Sequence, residues 1–199
     1  MASGLSRLMS GKSVLLKPNL VDYSSSNAVN THPSVVVAAV NCFRRRGARS
    51  VVVAEGPGHQ RDTDLVLEQS GFGDRLRQED IAFVDLNRDE LIRVSLRASY
   101  TALSTLWLPR TVVDADYIVS MPKVKAHHWS GVTLSLKNMF GVVPGAKYGW
   151  PKNILHWQGI QESILDICAT VPFILSSPTV LSRWRAMVHS TAGRGSLDI

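Results

Sequence analysis

Six residues, Lys123-Val124-Lys125-Ala126-His127-His128, set two amines and two imidazoles directly after the apolar run Tyr117-Ile118-Val119-Ser120-Met121-Pro122. A short apolar run closed by proline reads as a buried strand. In an open α/β sheet, ligands bind just beyond the carboxyl ends of strands. Alternate residues of an extended segment point to one side, so Lys123, Lys125 and His127 are expected to converge, with His128 facing away. Lysine binds carboxylate or phosphate as a point charge, and histidine moves protons near neutral pH. The chemistry implied is capture of a small anion, with His127 orienting it or exchanging a proton with it.

Other strand ends carry similar groups. Lys17 closes the run Ser13-Val14-Leu15-Leu16-Lys17, and Pro18-Asn19 stops it. His32 lies in Thr31-His32-Pro33, where it either caps a helix or projects into the same crevice. Glu55 ends the run Arg49 to Ala54 and opens Glu55-Gly56-Pro57-Gly58-His59. That turn has neither the spacing of a phosphate-binding loop nor that of a dinucleotide fingerprint. Its glycines read as a tight turn, and Glu55 remains as a base or metal ligand. The catalytic candidates are therefore His127, His32 and Glu55.

The ligand-binding candidates are Lys17, Asn19, Lys123, Lys125, Lys137 and His156. Lys137 lies near a helix end, where it either suits the dipole or reaches the pocket. His156 stands one step off the apolar stripe of the last helix. No pair of histidines has the i, i+4 spacing of a helical metal site, and the positive neighbours oppose a divalent cation. No metal is expected. Ser130 has no nucleophile elbow around it.

The elements that must position these groups follow from hydrophobic period. Strands are expected at Ser13–Lys17, Arg49–Ala54, Ile81–Asp85 and Asp116–Ser120, with two paired edge strands at Leu91–Val94 and Thr105–Leu108. Helices are expected from Pro33 to Gly47, Asp64 to Gly71 and Val132 to Phe140. Residues Pro144 to Pro151 read as a loop. Asn153 is expected to cap a last helix with Ile154, Trp157, Ile160, Ile164, Leu165 and Cys168 on one face. Alternating strands and helices predict an α/β domain with a mostly parallel central sheet flanked by helices.

Composition narrows the function classes. The chain has 199 residues, 45% of them apolar and 19% charged, enough for one domain with a real core. The formal charge is +6, but the only dense basic run is Arg44-Arg45-Arg46 at a helix end, so a nucleic-acid partner is not expected. No apolar run reaches the length needed to cross a bilayer, and no export signal is visible near Met1, so the cytoplasm is the expected setting. The two cysteines, Cys42 and Cys168, are far apart in sequence and too few for a cluster or structural zinc.

Several ordered motifs together resemble the domain-of-unknown-function family 362. They are Lys17-Pro18-Asn19-Leu20, Thr31-His32-Pro33, Glu55-Gly56-Pro57-Gly58, Met121-Pro122-Lys123-Val124-Lys125 with His127, and Leu134-Ser135-Leu136-Lys137-Asn138-Met139-Phe140-Gly141, joined by His156 and Gly159. The resemblance implies a fold and a pocket rather than a reaction. Some relatives look fused to ferredoxin-like cysteine clusters, which implies a ferredoxin-like partner for the family; this sequence has no such cluster. The domain is expected over 12–173. Beyond it, Pro178 to Val188 can be encoded by codons that, one frame over, spell the acidic glycine-rich segment of the family. Residues 174–199 are therefore expected to be a frameshifted tail on a domain incomplete at its C-terminus. The leading expectation is a binder of a small carboxylate or phosphate at the strand ends, its cofactor unknown. The alternatives are a metal- or iron–sulfur-linked redox enzyme and a nonfunctional truncated product.

Overall fold

The computed structural model describes residues 8–21, 23, 29–58, 61–127, 131–150 and 152–174, apart from the side chains at 127, 131, 132, 173 and 174. In chain order the first elements are β1 (Ser13–Lys17), α1 (Pro33–Arg45), β2 (Ser50–Glu55), α2 (Thr63–Gln69), α3 (Phe72–Gln78) and β3 (Phe83–Asp85). Next come β4 (Leu91–Ser95), β5 (Thr105–Pro109), α4 (Arg110–Val113), β6 (Tyr117–Ser120), β7 (Lys125–His127) and β8 (Gly131–Thr133). The last are α5 (Ser135–Met139), a 3₁₀ turn (Phe140–Val142), α6 (Gly145–Tyr148), α7 (Asn153–Trp157), α8 (Ile160–Thr170) and β9 (Phe173–Ile174).

Five of these strands make one parallel sheet in the order β3-β2-β1-β6-β9. Side chains alternate between its two faces, as the two-residue strand period requires. Val14, Leu16, Val51, Val53 and Val119 enter a core closed by α1, α2 and α3, through Val36, Val40, Phe43, Val66, Phe72 and Leu76. Leu15, Ala54 and Ile118 enter a second core with Leu106, Leu108, Met139, Leu155, Ile160 and Ile164. A sheet buried on both faces needs apolar residues at consecutive positions, and β1, β2 and β6 supply them.

Local rules set where α1 begins and ends. Pro33 occupies its first turn, and the His32 ring Nδ1 accepts the Ser34 N–H at 3.1 Å. Arg44 and Arg45 lie in the last turn, and Gly47 takes φ +83° to leave it.

Several expectations differ from the structure, among them the cap of the last helix, where Asn153 is the first helical residue and Lys152 stands at the cap. β4 and β5 pair with each other but not with the main sheet. Their hairpin lies over the second core, where Leu106 and Leu108 are buried. The helix expected from Val132 starts only at Ser135, because Gly131–Thr133 pair antiparallel with Lys125–His127 as a separate ribbon. The segment expected as a loop from Pro144 contains α6, anchored where the Tyr148 hydroxyl accepts the Trp107 N–H at 2.7 Å. The last helix is two helices, α7 and α8, broken at Gly159 with φ +95°. The break turns α7 relative to the apolar stripe of α8, and Trp157 is 79% exposed rather than packed.

Parallel order with β1 and β6 side by side makes their carboxyl ends the point where the chain's crossovers diverge. That edge is the usual ligand position in such sheets. Lys17 and Ser120 are register partners at that edge, and Glu55 ends the neighbouring strand β2.

Candidate functional site

Lys17 is only 1% exposed, so its ammonium is surrounded by protein. Nζ donates to both oxygens of Glu55, at 2.8 and 2.7 Å, to the Pro18 carbonyl at 3.1 Å and to Asn138 Oδ1 at 3.3 Å. Burial lowers its proton affinity, and Glu55 draws it back up. Glu55 is held in turn by the Leu20 N–H at 3.2 Å and the Gly56 N–H at 3.0 Å. A buried pair of this kind tolerates desolvation only because the remaining lone pairs and protons are satisfied.

Asn138 joins the ends of β1 and β6. Its Nδ2 donates to the Lys17 carbonyl at 3.1 Å and to Ser120 Oγ at 3.0 Å, and its Oδ1 accepts Asn19 Nδ2 at 3.1 Å. These bonds fix the orientation of both amides. Among the described residues they also leave Asn19 Oδ1 buried without a hydrogen-bond donor. Thr31 ties the next loop in, its Oγ accepting the Asn19 N–H at 2.8 Å and donating to the Met121 carbonyl at 2.7 Å. Gly141 has to be glycine here. A Cβ on it would lie 2.6 Å from Lys17 Nζ and 3.0 Å from Glu55 Oε1.

A second cluster is built around Phe140, the first residue after α5. The amines of Lys137 and Lys152 lie 5.1 and 5.3 Å from the Phe140 ring centroid, and the His156 ring meets it edge-on at 5.4 Å. Lys152 Nζ donates to the Phe140 carbonyl at 2.9 Å. Its backbone takes φ +69°, one of two non-glycine positive values among the described residues. The His156 Nδ1 faces the Lys152 carbonyl at 3.1 Å. Desolvation, reinforced by Lys17 and Lys125, brings Lys137 down to about 8. Desolvation and the Lys17 charge bring Lys152 down to about 7, against the pull of Glu55. The only carboxylate acting on either amine among the described residues is Glu55, which is already paired with Lys17.

The sequence profile of the family described as Domain of unknown function (DUF362) matches residues 14–195. The chain belongs to that family. The DUF362 match extends past Phe173, where the motif resemblance ended; residues 175–199 lie outside the described part of the chain. The chain is also 30% identical over 143 residues to a thylakoid-associated protein of Synechocystis, covering 70% of this chain and 42% of that relative. It thus spans less than half the length of that protein.

The sequence candidates divide by position in this DUF362 chain. Lys17, Asn19 and Glu55 meet at one hydrogen-bonded centre, and Lys137 and His156 meet around Phe140 beside it. Lys125 is half-buried, and its Nζ donates to the Val29 carbonyl at 3.0 Å. Lys123 is half-buried one residue pair before β7, so strand alternation covers Lys125 and His127 but does not extend back to it. The His127 side chain, His128 and Ser130 lie outside the described residues. His32 directs Nδ1 to its own helix as the cap. Among the described residues, no three His, Cys, Asp or Glu gather as a metal-binding group, and no helix is long and apolar enough to cross a membrane.

Lys152 was missed by sequence reasoning. It is buried, it is the second amine on Phe140, and its only sequence mark is the i, i+4 relation to His156.

Proposed function

We propose that this protein binds a small carboxylate or phosphate at the carboxyl edge of its parallel sheet, between the Lys17–Glu55 centre and the Phe140 cluster. One observation carries the reading: among the described residues, the amines of Lys17, Lys137 and Lys152 share a single carboxylate, Glu55. Lys17 directs its donors to protein acceptors, so its role is to pair with Glu55 and order the strand ends. Among the described residues the unbalanced charge belongs to Lys137 and Lys152. Burial without a counter-ion is costly for each of these amines, and an entering anion removes that cost. The donorless Asn19 Oδ1 adds one acceptor for a ligand hydroxyl or a bound water.

Calorimetric titration with inorganic phosphate and with a small dicarboxylate tests this. The Lys137→Met and Lys152→Met variants are expected to bind about tenfold or more weakly. An anion stabilises the charged amines, so binding near pH 7 to 8 should draw protons from the buffer, and affinity should fall as pH rises through that range. Equal affinity in wild type and both variants, with no proton uptake, would refute the proposal.

A further inference from the structure

We propose that Lys152 is an imine-forming amine for a small 2-oxo carboxylate, with Lys137 holding the carboxylate and His156 moving protons. This rests on the anion-binding reading and names the substrate class for that site.

The geometry separates the buried amines into two kinds. Lys17 meets a carboxylate through both oxygens and two further acceptors, which hold its proton in place. Lys152 is equally enclosed, yet among the described residues its amine has one neutral acceptor, the Phe140 carbonyl, and no acid in contact. A buried amine with neighbouring cations and no acid in contact loses its proton easily, and the neutral amine is the nucleophile. Lys137 shares the ring, and the ring-centroid distances limit the two amines to about 10 Å apart. The two differ in proton affinity in the sense the chemistry needs. Near pH 7 Lys137 remains mostly charged to bind an anion, while Lys152 is partly neutral. Its left-handed backbone is a sparsely populated conformation for lysine, and such positions persist where the surrounding structure imposes them.

The step balances without a redox partner. The Lys152 nitrogen adds to the ketone carbon, and the carbon–oxygen double bond becomes a carbinolamine hydroxyl. That hydroxyl then leaves as water, carrying away the oxygen and, in net, both amine hydrogens as the carbon–nitrogen double bond forms. His156, edge-on to the same Phe140 ring, is placed to relay those protons. The resulting imine activates the carbon on the side away from the carboxylate toward loss of a proton, the electron pair being taken up as an enamine.

Trapping tests the proposal on the whole chain. The protein is incubated with pyruvate, reduced with borohydride, digested, and its peptides are mapped by mass. The expected result is a saturable reduced adduct on the peptide bearing Lys152, suppressed by inorganic phosphate and absent from the urea-unfolded protein at equal pyruvate. Lys152→Arg should abolish it. Lys137→Met should keep it at saturating pyruvate while requiring about tenfold more pyruvate. In wild type alone, adducts spread over surface lysines with none enriched at Lys152 would overturn the proposal, so the result does not depend on a variant folding. If pyruvate raises the melting temperature but no Lys152 adduct forms, imine formation fails and anion binding stands. If neither occurs while phosphate and dicarboxylate also fail to bind, both readings fail together.

Discussion

The two ends of the same strand pair, β1 and β6, are built on opposite electrostatic plans. At the amino end Asp116 accepts the Ser13 N–H at 2.8 Å, the Ser13 hydroxyl at 2.9 Å and Lys12 Nζ at 3.1 Å, while its own N–H donates to Ser13 Oγ at 3.0 Å. Each charge and dipole there has a partner within the clasp, and those bonds hold the Asp116 carboxyl down at about 2. At the carboxyl end, among the described residues, one carboxylate serves three amines, Lys17, Lys137 and Lys152. An end that is complete in itself holds strands together and has nothing to offer a ligand. The unbalanced end is stable only at a cost, and a cost retained at the position where parallel sheets bind ligands points to use rather than structure.

The sharpest way to break the contrast is to remove half of the one matched pair at the carboxyl end. Glu55→Gln leaves the Lys17 ammonium buried among uncharged acceptors and adds a further unmatched amine to the group. Loss of one partner of such a pair costs about 3–5 kcal/mol. Lys17→Met leaves Glu55 with only the Leu20 and Gly56 N–H groups and belongs in the same range. The double variant Lys17→Met with Glu55→Met removes both charges and should recover most of the loss. Urea denaturation of the three proteins measures this. Additive losses in the double variant would mean the two residues act independently, contrary to the bidentate contact.

A smaller and opposite effect is expected at Lys152. Its proton affinity is lowered in the fold, so the unfolded chain binds more protons between pH about 7 and the ordinary lysine range. Stability of the wild type should therefore rise with pH across that interval. Lys152→Met removes the buried amine and should be more stable than wild type by about 1–4 kcal/mol at pH 7, the advantage shrinking as pH rises. Thermal melts of both proteins from pH 6 to 10 read the difference. A variant less stable than wild type at pH 7 would show that Lys152 is a structural bond and would remove the charge imbalance on which the comparison depends.

The carboxyl end was partly legible in the sequence because strand ends are marked by apolar runs. Lys17 before Pro18 and Glu55 before Gly56 close runs that can only be buried, so both had to lie at one edge of the sheet. His32 was legible as a residue beside a helix start, since Pro33 fits only a first turn. The Phe140 cluster was not legible as a unit. Its members come from two places in the chain, Lys137 in α5 and Lys152 with His156 at the start of and within α7, whose approach depends on tertiary packing around one ring. Lys152 carries no periodic signal because its backbone is left-handed, outside any helix or strand. The apolar positions from Ile154 to Cys168 fit one stripe on paper, and only the positive φ of Gly159 divides them. The β7–β8 ribbon was hidden for a related reason, as three-residue strands leave too short a pattern to separate from a helix start.

The amino-end clasp supplies the smallest effect and the control for the others. The Asp116 carboxyl titrates at about 2 in the fold, below its ordinary value, chiefly through the Ser13 N–H and then Lys12 and the Ser13 hydroxyl. Its contribution to stability is thus fully present above the unfolded carboxylate range near pH 4 and is lost as pH falls toward 2. Asp116→Asn should lower the melting temperature slightly at pH 7 and flatten the acid limb of the stability profile. It should leave phosphate affinity unchanged, because no amine of the carboxyl end touches this group. Acid titration of the melting temperature, with phosphate calorimetry on the same sample, measures both. A change in anion affinity at Asp116 would mean that the two ends communicate through β1 and β6, so that completeness at one end is a condition of binding at the other.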